Sequence, residues 1–175
     1  MARADAVSNR ARIVQVARDL LSTTAELPMN AVAKAAGVGQ GTLYRNFPTR
    51  EALLAEVYRA DVDQLVASAP RLLEEHDAAT AFRLWLDNVA DYARVKRGVL
   101  AALDPGPGHE LAAGHTATIG KAVDLLLEAG RREKSIRPDV GSEDVIILLR
   151  FLSRDDAAER AHHLLELIVN GLRSR

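Results

Sequence analysis

Polar side chains that could hydrogen-bond to nucleic acid are concentrated between residues 40 and 50. They are Gln40, Thr42, Tyr44, Arg45, Asn46 and Arg50. A glutamine or an arginine can bond the edge of a purine base, and a threonine can contact a thymine methyl group or a phosphate. This stretch therefore predicts recognition of double-stranded DNA by the polar face of a helix.

Two short helices joined by a glycine turn would position these side chains. The first has four apolar residues at the i, i+3, i+4, i+7 spacing of one helical face: Met29, Val32, Ala33 and Ala36. Gly37 can take a positive φ and turn the chain tightly. A second helix over residues 40–47 would bury Leu43 and Phe47 and leave the polar side chains outside. This is a helix-turn-helix, whose second helix enters the major groove of DNA.

The residues before this unit are predicted to form a third helix. It would run from about Asn9 to Thr23, with Ser8 as its N-cap, behind a frayed arm over residues 1–8. The basic side chains near its start are Arg3, Arg10 and Arg12. Basic arms reach phosphates or the minor groove, so Arg10 is a candidate DNA contact. The alternative is a solvated, disordered N-terminus.

The exit from the helix-turn-helix marks a domain boundary. Pro48 disfavours helix in the residue before it, and Thr49 can cap the helix that follows. That helix, over about residues 50–67, would connect a DNA-binding domain over 1–50 to a second helical domain over 68–175. A bend is expected at Pro70.

Apolar residues recur at helical spacing through the rest of the chain, and no run alternates with the period of two that a strand requires. The predicted fold class is therefore all-α. The first of these helices is expected to begin at Asp77 or Thr80 and the fourth at a Ser142 cap. The expected spans are 77 or 80 to 96, 99–103, 111 or 116 to 132, 142–152 and 157–172.

The composition is that of an ordinary globular protein, with 48% hydrophobic and 27% charged residues. The net charge of residues 1–50 is +4 and that of residues 51–175 is −5, which suits a protein that presents one basic end to a polyanion. The absence of cysteine excludes disulfides and thiolate sites. With no signal-peptide pattern and no apolar run of about 20 residues, we expect a cytoplasmic protein without a membrane span.

The remaining reactive side chains form no recognisable catalytic or metal-binding set. His162 and His163 are adjacent and would point about 100° apart on a helix. His109 and His115 flank Glu110 without the H-E-x-x-H spacing of a zinc site. No nucleophile, base and acid can be placed together. We therefore expect no metal, no cofactor and no enzymatic activity.

The segment from Ala33 to Leu54, AKAAGVGQGTLYRNFPTREALL, resembles the TetR/AcrR family of bacterial transcriptional regulators. It departs from the family pattern at Gly39, where a serine usually caps the second helix, and at Asn46, where a histidine is usual. The resemblance implies contacts with base edges or adjoining phosphates for Gln40, Gly41, Thr42 and Arg45. It also implies backbone anchoring by Tyr44, Asn46 and Arg50.

The C-terminal half resembles the SbtR-like effector domain of the same family. The residues that carry this likeness are Leu84-Trp85-Leu86, Tyr92-Ala93, Lys96-Arg97-Gly98 and the closing run from Leu167 to Leu172. The resemblance implies a ligand pocket between helices. It also implies a homodimer, in which the last two helices, 142–152 and 157–172, pair with those of a partner.

Aromatic and aliphatic side chains of this half are candidates for lining a pocket for an apolar or amphipathic effector. They are Trp85, Val89, Tyr92, Leu100, Leu103, Ile119, Val123, Leu126 and Phe151. Trp85 and Tyr92 share a helical face and each carries a polar group. The alternative for each of these residues is a packed core position beside no cavity.

Two hypotheses of function follow from the sequence. The first is a ligand-responsive repressor that binds a roughly palindromic operator as a dimer and is released by a small molecule. The alternative is a helical small-molecule-binding protein or enzyme in which the helix-turn-helix is only structural. The alternative leaves the exposed Gln40, Arg45 and Arg50 unexplained.

Overall fold

The computed structural model describes residues 2–23, 27–103, 115–153 and 160–174. Within these ranges the chain forms eight α-helices and no strand, which confirms the all-α prediction. They are α1 (Ala2–Leu21), α2 (Met29–Ala35), α3 (Gln40–Asn46), α4 (Arg50–Glu75), α5 (Ala78–Ala102), α6 (Thr116–Arg132), α7 (Ser142–Leu149) and α8 (Ala161–Leu172). A short 3-10 helix, Arg150–Ser153, follows α7. None of the described helices is long and apolar enough to cross a membrane.

The described residues divide into two compact units. The first contains the chain up to Asp61 and the end of α5 from Arg94 onwards. The second contains Val62–Ala93 and the described residues from 115 to 174. Helices α4 and α5 each contribute to both units.

Helix α1 begins earlier than the sequence suggested. The frayed arm over residues 1–8 and the Ser8 cap were wrong, because the helix already starts at Ala2. Residues 2–8 contain three alanines and neither glycine nor proline, so nothing in their backbone preferences stops the helix. The helix also ends at Leu21, two residues before the predicted Thr23.

The core of the first unit is built from one face of each helix. Ile13, Ala17 and Leu21 of α1 are buried. The buried side chains contributed by α2, α3, α4 and the segments before and between them are Leu27, Val32, Ala33, Ala36, Leu43, Phe47, Leu53, Leu54, Val57 and Tyr58. The Arg18 guanidinium pairs with the buried carboxylate of Asp61, which ties α1 to α4 by charge as well as by packing.

Helix α4 does not end near residue 67, and the predicted bend at Pro70 does not interrupt it. The helix continues through Pro70 to Glu75. A proline removes only one backbone donor, and the neighbouring turn is held by other contacts. The Leu65 carbonyl accepts hydrogen bonds from the Trp85 indole at 3.0 Å and the Ser68 hydroxyl at 2.7 Å. Buried Ala69 packs beside them.

Helix α5 is also longer than predicted, because the expected break between residues 96 and 99 is absent. The helix runs without interruption through Gly98. A Cβ atom at Gly98 would lie 2.7 Å from the Leu21 carbonyl oxygen. The glycine therefore marks the close approach of α1 to α5 and not the end of a helix.

The second unit has its core on α5 and α6. One face of α5 is buried: Phe82, Trp85, Leu86, Val89, Tyr92 and Ala93. Asp77 caps this helix by accepting from the Thr80 backbone N–H at 3.0 Å, which holds the pKa of its carboxyl below the ordinary value. The Glu133 carboxylate accepts from the Ala78 N–H at 2.8 Å and so joins the end of α6 to the start of α5.

The last helices are shorter than the predicted spans. The cap of α7 is Gly141 and not Ser142, since the Asp144 carboxylate accepts from the Gly141 N–H at 2.9 Å. Helix α7 stops at Leu149, and residues up to 153 form the tighter 3-10 turn. Helix α8 begins at Ala161, and residues 157–159 of the predicted span lie outside the described residues.

Candidate nucleic-acid interface

The turn between α2 and α3 is a complete backbone capping motif. Gly37 has a φ of 64°, the left-handed conformation that glycine adopts without strain. The Val38 N–H donates to the Ala33 carbonyl at 3.0 Å and the Gly37 N–H donates to the Lys34 carbonyl at 3.2 Å. These are the two bonds of a Schellman motif. They fix the direction in which the chain leaves α2, as the Gly-centred turn of the sequence predicted.

Helix α3 separates a buried face from an exposed face. Leu43 and Phe47 are fully buried, whereas Gln40, Gly41, Tyr44 and Arg45 are exposed. Thr42 and Asn46 are half-buried. The N-cap, Gly39, makes no side-chain hydrogen bond. Because a seven-residue helix is barely stable alone, the packing of Leu43 and of the C-cap residue Phe47 must hold it in place.

Two polar side chains of α3 bond to groups of their own helix. Arg45 donates from Nε to the Gly41 carbonyl at 3.1 Å and from Nη2 to the Thr42 hydroxyl at 3.1 Å. The Asn46 side-chain amide donates to the Thr42 carbonyl at 2.8 Å. These bonds are local and solvent-exposed or nearly so, and each can be exchanged for a bond to a base or a phosphate at small net cost.

A groove runs beside α3 and brings three of the predicted residues together. Gln40, Tyr44 and Arg50 line one side of an open groove of about 600 Å³. The opposite side is the segment from Leu27 to Asn30, which the sequence prediction did not include. In the sequence, this segment is marked only by Pro28, which directly precedes α2. The first turn of α2 contains no acidic residue, so this side of the groove carries no negative charge.

Arg10 lies apart from this groove at the other end of α3. Its Nη1 donates to the Asn46 carbonyl at 2.7 Å, and its Nη2 lies 3.3 Å from the Glu56 carboxylate. Its guanidinium carbon lies 4.3 Å from the centroid of the Phe47 ring, within the range of a cation–π contact. Burial raises the pKa of Glu56, but the hydrogen bonds and charges of Arg59 and Arg10 outweigh it and lower that pKa overall.

The candidate ligand-binding residues are mainly core residues. Trp85, Val89, Tyr92, Val123 and Leu126 are buried, and Leu103 and Ile119 are half-buried. The side chain of Phe151 lies outside the described residues. Trp85 donates its indole N–H to the Leu65 carbonyl at 3.0 Å, so its one polar group is already bonded within the protein. Leu103 belongs to the first unit and the other candidates to the second.

An apolar surface lies on α7 and α8. The exposed fractions of Ile147, Leu148 and Leu167 are 59%, 48% and 54%, which is unusual for three large aliphatic side chains on two neighbouring elements. Leu148 and Leu167 line a largely apolar groove of about 490 Å³. On the inner side of α8, Leu165, Val169 and Leu172 are buried. Helix α8 therefore has apolar residues on two sides.

The histidines of the described residues form no metal site. His162 Nε2 lies 3.8 Å from the Asp87 carboxylate, and no group of three or more histidine, aspartate or glutamate side chains that could hold a metal occurs in the part of the chain that the structure describes. His109 and Glu110 lie outside that part.

Family models of known proteins match two segments of the chain. Residues 13–57 match the family model for bacterial regulatory proteins of the tetR family. Residues 77–174 match the model for the C-terminal domain of SbtR-like transcriptional regulators.

Solved structures are similar over nearly the whole chain. A TetR transcriptional regulator from Streptomyces coelicolor is 36% identical, with 94% of this chain and 98% of that chain covered and a TM-score of 0.79. A TetR transcription regulatory protein from Mycobacterium vanbaalenii is 32% identical, with 99% of each chain covered and a TM-score of 0.80. A curated HTH-type transcriptional regulator of Staphylococcus aureus is 27% identical over 107 residues, a match that spans 58% of that relative's length.

Proposed function

This chain belongs to the TetR family of bacterial regulatory proteins, and we propose that it is a repressor that binds a roughly palindromic operator as a dimer and leaves it when a small molecule binds. The family matches confirm the resemblance seen in the sequence. The family consists of DNA-binding transcriptional regulators and not of enzymes. The repressor role, the operator and the effector are the parts proposed here.

The exposed face of α3 is the observation that carries the proposal. Leu43 and Phe47 anchor the helix from inside the first unit, while Gln40 and Arg45 are exposed and Thr42 is half-buried. Helix α3 enters the major groove, where Gln40 and Arg45 bond base edges and Thr42 contacts a thymine methyl group or a phosphate. Gly41 has no side chain, so the backbone of α3 can approach the DNA closely at this position.

Side chains at the edges of this face hold the DNA backbone. Tyr44, Asn46 and Arg50 contact phosphates on either side of the groove occupied by α3. Tyr44 is 46% exposed although it is a large aromatic residue, and it lines the groove shared with Gln40 and Arg50. Phosphate contacts of this kind set the position of the protein, whereas the base contacts provide the sequence preference.

Two substitutions separate these roles. Arg50→Ala should weaken binding to every DNA sequence and lower the slope of log Kobs against log salt by about 0.9, because one phosphate contact is lost. Gln40→Ala should instead reduce the preference for the operator by about 1–3 kcal/mol and leave that slope unchanged. Fluorescence anisotropy with the DNA upstream of the gene and with a random duplex measures both effects. If both variants change specific and random binding alike, this division of roles is wrong.

A dimer through α7 and α8 supplies the second copy of the recognition helix. Two-fold pairing of this surface would cover Ile147, Leu148 and Leu167, which are otherwise exposed to water. Such pairing brings identical patches together and places two copies of α3 at successive major grooves. The exposed face of a single α3 that contacts bases is small, so affinity for an operator depends on both copies of the helix.

The dimer has its own test. Leu167→Glu places two like charges in the proposed interface and should convert the dimer to a monomer, with a loss of operator affinity on the order of a hundredfold. Leu125→Glu is the matched control, because Leu125 is an exposed leucine of α6. Sedimentation velocity gives the oligomeric state of each. If the Leu167→Glu protein remains a dimer like the control, the interface lies elsewhere.

The effector is proposed to be an apolar or amphipathic small molecule that binds within the second unit. Its candidate contacts are Val89, Tyr92, Ile119, Val123 and Leu126, with Trp85, Leu103 and Phe151 as further candidates from the sequence. A ligand releases DNA only if it binds the non-binding conformation more tightly than the binding one. A protein that acts on DNA in this way works in the cytoplasm.

The alternative is a helical small-molecule-binding protein in which the helix-turn-helix is structural. In that case the exposed polar residues of α3 would have no role, and binding to upstream DNA would be absent. The family assignment favours the repressor, and no observation in the described residues favours the alternative specifically.

A further inference from the structure

Two arginines of α1 each reach the C-terminal end of one helix of the helix-turn-helix. Arg12 donates from Nε to the carbonyl of Ala36, the C-cap of α2, at 2.8 Å. Arg10 donates from Nη1 to the carbonyl of Asn46, the last residue of α3, at 2.7 Å. The last carbonyls of a helix lack intrahelical partners and carry its negative partial charge. A guanidinium satisfies both the missing hydrogen bond and the charge.

The two helix ends need these donors for different reasons. In the turn after α2, the Gly37 and Val38 N–H groups bond the Lys34 and Ala33 carbonyls, which leaves the Ala36 carbonyl for Arg12. After α3 comes Pro48, which has no N–H to donate. A backbone motif like the one at Gly37 therefore cannot close α3.

Both guanidiniums are held in place by further contacts within the protein. Arg12 Nη2 donates to the Asn9 side chain at 2.6 Å. Arg10 stacks over the ring of Phe47 and pairs with Glu56 of α4. A planar guanidinium can bond, stack and pair at the same time, and an ammonium group cannot. The geometry of Arg10 therefore uses properties that only arginine has.

We propose that Arg10 and Arg12 are positioning residues for DNA binding, which cap α3 and α2 from α1 and fix the recognition helix before DNA arrives. This rests on the proposed function, but it gives Arg10 a role other than phosphate contact. We call Arg10 and Arg12 the clamp, because their bonds to Asn46 and Ala36 hold α3 and α2 against α1. Helix α3 has only seven residues and no side-chain N-cap, so its order depends on contacts of this kind. Arg10 and Arg12 raise affinity by preorganisation.

Hydrogen exchange in the DNA-free protein tests the clamp without reference to DNA binding. Arg10→Ala should speed exchange of the Leu43 and Phe47 amides, and Arg12→Ala that of the Val38 amide, on the order of tenfold each. Arg83→Ala, an exposed arginine of α5, is the control and should change neither. Unchanged exchange at α3 in Arg10→Ala would overturn the proposal, whatever the protein does with DNA.

The salt dependence of DNA binding then separates a clamp from a phosphate contact. With the duplex upstream of the gene as probe, Arg10→Ala should bind about tenfold more weakly with an unchanged slope of log Kobs against log salt. Arg10→Lys keeps the charge but should show nearly the same loss. A slope lowered by about 0.9, or full affinity in Arg10→Lys, would show a phosphate contact and overturn the proposal.

These results keep the two proposals distinct. If the wild-type protein binds neither the upstream duplex nor a random duplex, the proposed function fails, while the exchange data still decide the clamp. Circular dichroism and thermal unfolding establish that each variant is folded at the temperature of measurement. Arg10→Lys serves as the milder variant if Arg10→Ala is not folded.

Discussion

Arg18→Met is expected to lower the free energy of unfolding by about 1.5–3 kcal/mol, the range for losing a hydrogen bond between charged groups. Asp61 is 3% exposed and its carboxylate pairs with the Arg18 guanidinium. Methionine fills similar space but provides neither charge nor hydrogen bond, so the carboxylate stays buried without this cation. Urea denaturation followed by circular dichroism measures the change.

Two further variants make this test specific. Arg59→Ala removes an arginine that is 55% exposed and pairs with Glu56, and should cost less than about 1 kcal/mol. The double variant Arg18→Met/Asp61→Leu removes both charges and should recover most of the loss, because an apolar pair needs no counter-charge. If Arg18→Met costs no more than Arg59→Ala, the ion pair does not join α1 to α4 as described.

Phe47→Ala is expected to cost about 3–5 kcal/mol, the range for removing a large buried aromatic side chain. Phe47 is fully buried, is the C-cap of α3 and lies under the Arg10 guanidinium. Its loss opens a cavity beneath α3 and removes the surface on which Arg10 stacks. We therefore expect operator binding to fall together with stability, as measured by urea denaturation and by anisotropy with the upstream duplex.

Tyr44→Ala is the matched control, because Tyr44 is an aromatic residue of the same helix on its exposed face. It should change stability by less than about 1 kcal/mol but still weaken DNA binding through the lost backbone contact. Equal losses of stability in Phe47→Ala and Tyr44→Ala would mean that α3 is not anchored through Phe47.

The sequence predicted the helix-turn-helix closely because its signals are local. The apolar spacing from Met29 to Ala36 and the glycine at 37 depend only on backbone geometry and helical period. The structure has the predicted turn at Gly37, and Thr49 caps α4 by accepting from the Ala52 N–H at 3.1 Å. Local rules are most reliable where neighbouring residues bond one another.

The predicted helix ends were wrong where contacts with residues distant in sequence determine whether the helix continues. Pro70 and Gly98 are strong local breakers, yet both lie inside continuous helices. The Leu65–Trp85 hydrogen bond holds the helix near Pro70, and Gly98 is where α1 approaches α5. Neither contact can be read from the residues next to it in sequence, because tertiary packing overrides local propensity.

Long-range contacts of side chains in the candidate DNA interface could not be predicted from the sequence either. The exposed set on α3 followed from the helical period, but the contacts of Arg10 with Asn46 and Glu56 join residues 36 and 46 positions apart. A basic residue near the N-terminus of a DNA-binding domain suggests a phosphate contact on composition alone. Only the fold shows that its guanidinium has protein partners.

Sequence-preferring, salt-dependent DNA binding by the wild-type protein is the central expectation of the proposed function. The measurement is anisotropy of the labelled duplex upstream of the gene against a random duplex of equal length, across a series of salt concentrations. We predict a linear fall of log Kobs with log salt and a preference for the upstream duplex of at least about a thousandfold. Equal affinity for the two duplexes, or binding that does not change with salt, would contradict the proposed function.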